Sequence, residues 1–129
     1  MYPEENLYTK DHEWIRVQGD VGIIGITDYA QHELGDVVYV DLPEIGDTFE
    51  ANEPFGSVES VKAVSEVFSP VGGEVIEVNT KLEDSPELIN ESPHQKAWMI
   101  KLRISNAEEL KEMLSAEEYE EYLQGLSGS

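Results

Sequence analysis

The chain has 129 residues and a formal net charge of −20, with 28 acidic residues against eight lysines and arginines. Phosphate groups would be repelled from nearly every face of such a molecule, which argues against nucleic acids and anionic membranes as partners and favours a protein with a basic docking surface. Cysteine is absent, which excludes disulfides, thiolate nucleophiles and cysteine metal sites, and no segment has the length of a transmembrane helix.

The first residues carry no recognisable sorting signal. Residues 1–6 are acidic and lack both the apolar region of a secretory signal and the arginines of a transit peptide. We therefore expect a cytoplasmic protein, or a protein of the mitochondrial matrix if a leader has been removed.

Most of the chain has the pattern of short strands separated by turn residues. Residues 14–26 predict a hairpin whose turn is the Gln-Gly-Asp segment. A short helix should follow, capped by Thr27 or Asp28 and stopped by Gly35. Short strands with frequent Gly, Pro and Asn breaks continue to about Ile104. This spacing is typical of a small all-β sandwich or barrel.

The C-terminal part has a helical pattern instead. Residues 105–108 (Ser-Asn-Ala-Glu) and 115–118 (Ser-Ala-Glu-Glu) both match a capping box, and apolar residues at helical spacing follow each box. We expect a single domain over residues 1–129, in which a β core of about 7–104 precedes a helical segment of about 106–123.

Two segments 38 residues apart resemble each other. Residues 35–41 are Gly-Asp-Val-Val-Tyr-Val-Asp, and residues 73–79 are Gly-Glu-Val-Ile-Glu-Val-Asn. The same offset relates residues 52–53 to residues 90–91, which are Asn-Glu in both places. Two units are too few for a solenoid but suit a β fold of two similar halves. The alternative is chance similarity among common strand and turn residues.

Residues 58–67 form a palindrome centred on Lys62 and Ala63. The segment is Val-Glu-Ser-Val-Lys-Ala-Val-Ser-Glu-Val. Residues equidistant from the turn of an antiparallel hairpin face each other. The palindrome therefore predicts that Val61 faces Val64, that serine faces serine, and that Lys-Ala forms the tip.

The lysine at this tip is unusual. Tight turns generally use Gly or Asn to supply positive φ, and this tip has neither. Lys62 is also the only basic residue between Arg16 and Lys81. A lone exposed amine on a flexible stem is accessible to a modifying enzyme. A modification site is one interpretation, and an ordinary surface lysine is the other.

The segment around Lys62 resembles a known family. Residues 59–66, followed by residues 69–75, are similar to the lipoyl-attachment segment of the glycine cleavage system H proteins. The similarity extends from about Leu7 to Leu123. Other similar runs lie at residues 12–14, 25–31, 34–36, 42–43, 87–90 and 98–100.

This resemblance implies a mainly β fold, a barrel-sandwich hybrid of two similar halves with a C-terminal helical segment. It implies a non-catalytic carrier with lipoate in amide linkage to Lys62. In the family, the P protein (glycine decarboxylase) loads an aminomethyl group on the arm and the T protein (aminomethyltransferase) unloads it. The L protein (dihydrolipoyl dehydrogenase) then reoxidises the arm. A lipoate ligase or a lipoyl/octanoyl transferase is a further implied partner, and the density of like charge favours a monomer.

The resemblance also implies a cleft that shelters the loaded arm. The family positions that line it match Asp11, Glu13 and Glu66, whose carboxylates would hold a cationic amine. The family often has Ser where Asp11 stands and Asp where Glu66 stands. Many members have a Gly-rich turn with Tyr where residues 94–97 stand. Because acids are abundant in this chain, the alternative for all three carboxylates is a solvated surface position.

Other classes of protein fit the residues less well. His12, His32 and His94 are far apart, and none lies in a known nucleophile or metal motif, so we expect no catalytic residue and no metal site. Biotin domains place Met on both sides of the modified lysine, whereas Val precedes Lys62 and Ala follows it. Two alternatives stay open. One is an H-like protein that mainly relays lipoyl or octanoyl groups to other lipoyl domains, and the other is an interaction module that is never modified.

Overall fold

The computed structural model describes residues 2–127, which contain nine strands, four α-helices and one 3-10 helix. The strands are β1 (Asn6–Tyr8), β2 (Glu13–Gln18), β3 (Val21–Ile26), β4 (Val37–Asp41), β5 (Thr48–Phe49), β6 (Pro54–Ser60), β7 (Val64–Phe68), β8 (Gly73–Val78) and β9 (Ile100–Ile104). The α-helices are α1 (Asp28–Leu34), α2 (Lys81–Asp84), α3 (Leu88–Glu91) and α4 (Ala116–Ser127), with a 3-10 helix at Ala107–Glu112. No helix within residues 2–127 is long and apolar enough to span a membrane.

The strands form two antiparallel sheets of unequal size. The large sheet has the order β1-β2-β3-β9-β8-β5, and the small sheet has the order β4-β6-β7. One cluster of buried side chains draws on both sheets and on the short helices α2 and α3. The expected mainly β fold with a C-terminal helical segment is confirmed. Within residues 2–127 the arrangement is a sandwich, and neither sheet closes into a barrel.

The N-terminal hairpin and the helix after it form as the local sequence predicts. Strands β2 and β3 pair in continuous register. The hydroxyl of Thr27 caps α1 by accepting a hydrogen bond from the Ala30 N–H. Gly35 has a φ of 84° and donates its N–H to the Gln31 carbonyl. Since φ near this value is unfavourable for other residues, Gly35 ends the helix cleanly.

Only the second of the two predicted capping boxes forms. Ser115 donates its N–H to the Glu118 carboxylate at 2.9 Å, and Glu118 donates its N–H to the Ser115 hydroxyl at 3.2 Å. At the first box the cap is Asn106 rather than Ser105, because the Ser105 N–H is already bonded to the Gly72 carbonyl. The segment after this cap is a 3-10 helix, and α4 continues past the predicted end to Ser127.

The segment between β8 and β9 was expected to contain further short strands, and this expectation is wrong. It holds α2 and α3, each one turn long and each with one fully buried apolar residue, Leu82 and Ile89. The side chain of Asn90 links α3 to the end of α1. It donates to the Gln31 side chain and the Gly35 carbonyl. Such isolated anchors leave no periodicity from which a helix or a strand could be recognised.

The internal repeat appears in the structure as a repeated β-bulge. Strand β4 pairs with β6, and its register shifts between Val37 and Tyr39. Strand β8 pairs with β9, and its register shifts between Val75 and Glu77. The two irregularities are therefore 38 residues apart, as the sequence similarity is. The repeated segments share the position of a bulge even though they belong to different sheets.

The predicted hairpin around Lys62 forms from β6 and β7, but its predicted register is wrong. The palindrome places Val58 opposite Val67, whereas Val58 pairs with Ser65 and Glu59 with Val64. The pairing is displaced by two residues, which moves the tip from Lys-Ala to Val-Lys. A shift of two keeps every side chain on its predicted face, because the period of a strand is two.

Candidate functional site

The hairpin tip that carries Lys62 is held by backbone and hydroxyl contacts rather than by matched side chains. Ser60 donates its N–H to the Ala63 carbonyl at 2.8 Å, and its hydroxyl accepts from the N–H groups of Lys62 and Ala63 at 3.3 and 3.1 Å. The N–H of Val61 is bonded to the Asp36 carbonyl at 3.0 Å. These contacts set the register, and none of them could be derived from the palindrome.

The tip holds Lys62 in an exposed position without strain. In residues 2–127 the non-glycine residues with positive φ are His12 and Asn52, so the turn does not need the Gly or Asn that is missing from it. The lysine side chain passes the end of α1, where its Cε would lie 3.6 Å from a Cβ built on Gly35. The flexible stem therefore starts from a fixed backbone, next to the helix that borders a cleft.

This cleft lies between α1, β2 and β7 and has a volume of about 180 Å³. The three acids predicted from the resemblance all line it. Apolar side chains supply much of the remaining wall; they are Ile26, Ala30, Leu34, Val58 and Val67. A cleft with apolar walls bordered by carboxylates suits a chain of methylene groups that ends in a cation.

Glu13 is the buried acid of the cleft. Its side chain is only 2% exposed, and its carboxyl accepts from the Thr9 hydroxyl at 2.7 Å and from the Phe68 N–H at 3.1 Å. Burial raises the pKa of Glu13 to about 7, against the smaller lowering effect of these two hydrogen bonds. Near neutral pH the group is thus divided between acid and carboxylate, and a nearby cation would favour the carboxylate.

Asp11 and Glu66 line the same cleft from exposed positions. The structure adds Glu33 and Tyr29 from α1 to this wall, and sequence reasoning missed both. They are four residues apart, as are Ala30 and Leu34, so they share one face of the helix. That spacing was visible in the sequence, but it could not show which face would border the cleft.

His12 also lines the cleft and connects it to the C-terminal helix. Its Nδ1 lies 2.8 Å from the hydroxyl oxygen of Tyr119, which lies 2.8 Å from the Thr27 hydroxyl oxygen. Burial lowers the pKa of His12, although Asp11 and Glu33 oppose this effect. The lowered pKa favours the neutral imidazole, which does not compete with a cation for the carboxylates.

The segment at residues 94–97 helps to position α1. The imidazole Nε2 of His94 accepts from the Asp28 N–H at 3.1 Å, at the first residue of the helix. The His94 carbonyl accepts from the Arg16 guanidinium at 2.9 Å. Burial lowers the pKa of His94, which keeps Nε2 available as an acceptor. His94 thus helps to fix the start of the helix that borders the cleft.

Comparison with known proteins relates the chain to one family along nearly its whole length. The family model for the glycine cleavage H-protein matches residues 6–126. The chain is 58% identical over 121 residues to the glycine cleavage system H protein of Halalkalibacterium halodurans, covering 94% of each chain. It is 56% identical to that of Staphylococcus carnosus, covering 94% of this chain and 96% of the relative.

Structural comparison agrees. The crystal structure of a glycine cleavage system H protein from Mycobacterium marinum aligns with a TM-score of 0.86 at 38% identity. The alignment covers 99% of this chain and the whole of the other.

Proposed function

The chain belongs to the glycine cleavage H-protein family, and we propose that it is the lipoyl carrier of a glycine cleavage system, with lipoate in amide linkage to Lys62. The observation that carries the proposal is an exposed lysine on an anchored hairpin tip, close to a cleft lined by acids. The proposal treats residues 1–129 as one non-catalytic domain, monomeric and cytoplasmic.

The residues around Lys62 fit a lipoyl group. The amine makes no ion pair within 4.0 Å to any residue of 2–127, so it is free to form an amide. The apolar side chains of the cleft match the methylene chain of the arm in character. When attached, lipoate would supply the disulfide that accepts an aminomethyl group and is restored by oxidation.

We propose that Asp11, Glu13 and Glu66 hold the cationic amine carried on the arm. A cation is favoured where several carboxylates border a partly apolar space, since the surrounding low dielectric strengthens their attraction. Glu13 supports this role best, because its carboxyl is fixed by two hydrogen bonds. Since a cation favours the ionised form, we expect its retention to strengthen as pH rises through about 7.

The proposed partners are the P, T and L proteins and the enzyme that attaches lipoate. A covalent arm presents the same group to each active site at high effective concentration, so the chain itself needs no catalytic residue. The net charge of −20 suits partners with basic docking surfaces, because opposite fields speed encounter.

The attachment site is tested by intact mass after co-expression with a lipoate ligase. Wild-type protein should gain one lipoyl adduct, and Lys62→Arg should gain none. Lys81→Arg is the matched control, because it alters an exposed lysine outside the hairpin and should still be modified. An unmodified wild type in the presence of active ligase would overturn the proposal.

Reconstitution separates glycine cleavage from lipoyl relay. With P, T and L proteins, lipoylated wild type should support glycine-dependent reduction of the arm, and unlipoylated protein should not. A lipoylated protein that shows no glycine-dependent reduction would instead favour the relay role.

The cleft is tested by the lifetime of the amine-bearing arm, followed by intact mass. Glu66→Gln should shorten this lifetime several-fold, because it removes one charge without changing the size of the side chain. Glu74→Gln alters an exposed acid on β8 and is the matched control. Equal lifetimes for the two variants would remove Glu66 from the site.

A further inference from the structure

Exposed hydrophobic side chains are concentrated around Lys62. Six large hydrophobic residues are exposed within residues 2–127, and four of them belong to the small sheet or its tip. These four are Val38, Tyr39, Val61 and Val64. Scattered apolar residues on a surface need no explanation, but a local group of them commonly marks an interaction site.

Three of the exposed side chains on this sheet form a row across it. Tyr39 on β4 pairs with Glu59 on β6, which pairs with Val64 on β7. Directly paired residues project from the same face of a sheet. Tyr39 is 55% exposed and Val64 is 67% exposed, so this face is open to solvent. We call Tyr39, Glu59, Val61 and Val64 the tip surface.

The fold does not require a tyrosine at position 39. The bulge in β4 exposes both Val38 and Tyr39, which breaks the usual alternation along the strand. At the equivalent place in β8 the exposed residue is Glu77, and it pairs across the sheet with Lys101 at 3.3 Å. The same backbone position is thus filled by an ion pair in one repeat and by an exposed aromatic in the other.

We propose that the tip surface is the docking surface for the enzyme that acylates Lys62. This inference rests on the proposed lipoyl-carrier function. That enzyme must bring its reaction centre to the lysine amine itself, so its surface must cover the residues next to the tip. Partners that act on the attached arm react with its far end, so they need not cover the residues next to the tip. The tip surface is therefore recognised before the arm exists.

The side chains of the tip surface indicate which side chains the complementary face of the enzyme should carry. Tyr39, Val61 and Val64 supply apolar contact area, and tyrosine is favoured where an interface is anchored. Glu59 lies between Tyr39 and Val64. We expect an apolar patch bordered by lysine or arginine side chains, because a carboxylate within an apolar contact needs a cationic partner.

The proposal is tested by the rate of lipoylation with purified lipoate ligase, lipoic acid and ATP, measured by intact mass at several carrier concentrations. Tyr39→Ser and Val64→Ser should each lower kcat/KM roughly tenfold, mainly through KM, as is typical of a truncated anchor residue. Both variants should still reach one adduct per chain, on Lys62. Tyr39→Phe should keep most of the wild-type rate.

Two controls match these variants. Ile45→Ser removes an exposed apolar side chain outside the small sheet, and Glu77→Ser alters the residue equivalent to Tyr39 in the other repeat. Both should be lipoylated at the wild-type rate. Thermal unfolding followed by circular dichroism should give similar curves for all variants, because every altered side chain is exposed.

The outcomes separate this proposal from the function on which it rests. A wild type that is never lipoylated overturns both. Wild-type rates for Tyr39→Ser and Val64→Ser, or an equal loss in Ile45→Ser, overturn the docking surface alone. Once lipoylated, Tyr39→Ser should be reduced by NADH and L protein at the wild-type rate, and an equal loss there would overturn the assignment to the acylating enzyme.

Discussion

Strands β4 and β8 carry a β-bulge at equivalent positions but differ in their exposed side chains. Each carries a buried valine, Val37 or Val75, and bulges just after it, at positions 38 residues apart. In β8 the exposed position after the bulge holds Glu77, which is paired with Lys101. In β4 it holds Tyr39, which faces solvent. Backbone geometry can therefore be repeated while the exposed side chains diverge.

The strands that partner them also continue differently. β6, the partner of β4, leads directly into the tip that carries Lys62, whereas β9, the partner of β8, leads into the C-terminal helical segment. The repeated bulge therefore acts as a scaffold that can carry different exposed side chains. The proposed function depends on the segment that the partner strand leads into and on the surface beside it.

The largest expected effect concerns a contact between the two sheets. This contact holds the small sheet, which contains β4, against the large sheet, which contains β8. Strand β8 lies within the large sheet, while the small sheet is joined to it through Glu13 of β2, whose carboxyl accepts from the Phe68 N–H of β7. A folded-state pKa of about 7, raised from 4.5, means that folding retains a proton that the unfolded chain releases. The free energy of unfolding should therefore fall by about 3 kcal/mol between pH 4.5 and 7.

Chemical denaturation across this pH range, with Glu13→Gln beside the wild type, measures that effect. In the uncharged variant the free energy of unfolding should depend much less on pH, and this variant should be the more stable protein at pH 8. Glu74→Gln on β8 removes an exposed charge and should keep the wild-type profile. The interpretation would be wrong if Glu13→Gln and Glu74→Gln had the same pH dependence.

A smaller effect tests whether the two bulged strand pairs, β4–β6 and β8–β9, are equally close-packed at their glycines. A Cβ added to Gly56 on β6 would collide with the Asp41 carbonyl, and one added to Gly73 on β8 would collide with the Arg103 carbonyl. Gly56→Ala and Gly73→Ala should each lower the free energy of unfolding by about 2 kcal/mol, because backbone must move.

Urea denaturation checks this pair, with Gly125→Ala as the control. A Cβ at Gly125 meets nothing within 4 Å, and alanine is the better helix former, so this variant should be slightly stabilised. A neutral result at either Gly56 or Gly73 would show that the two pairs are not equally close-packed.

The smallest effect concerns the exposed residues that follow the two bulges, Tyr39 and Glu77. Glu77→Ala removes a surface ion pair and should cost about 0.5 kcal/mol or less. Tyr39→Ser should change the free energy of unfolding by a similarly small amount. Paired denaturation curves for the two variants measure this, and a loss of several kcal/mol in Tyr39→Ser would give Tyr39 a structural role and weaken the comparison.

Local signals in the sequence predicted much of the fold. Thr27, Gly35 and the box at Ser115 act within one turn of chain, so their partners are a few residues away and visible in the sequence. The palindrome and the absence of other basic residues in the surrounding sequence singled out Lys62, and the resemblance supplied the lipoyl group and the three cleft acids. The roles of all four residues stay predictions. Helices α2 and α3 were missed because one buried residue per turn produces no periodicity.

The sequence by itself determined local features: where the N-terminal hairpin, α1 and α4 begin, which segments repeat, and which lysine lies at a hairpin tip. Only the tertiary structure decided which distant residues meet. The Val61 N–H bonds to the Asp36 carbonyl and anchors the hairpin tip beside β4, and packing buries Glu13 and raises its pKa. The cleft collects side chains from α1, β2 and β7. Local preferences act between chain neighbours, whereas register, burial and a shared cleft depend on contacts that exist only once the chain has folded.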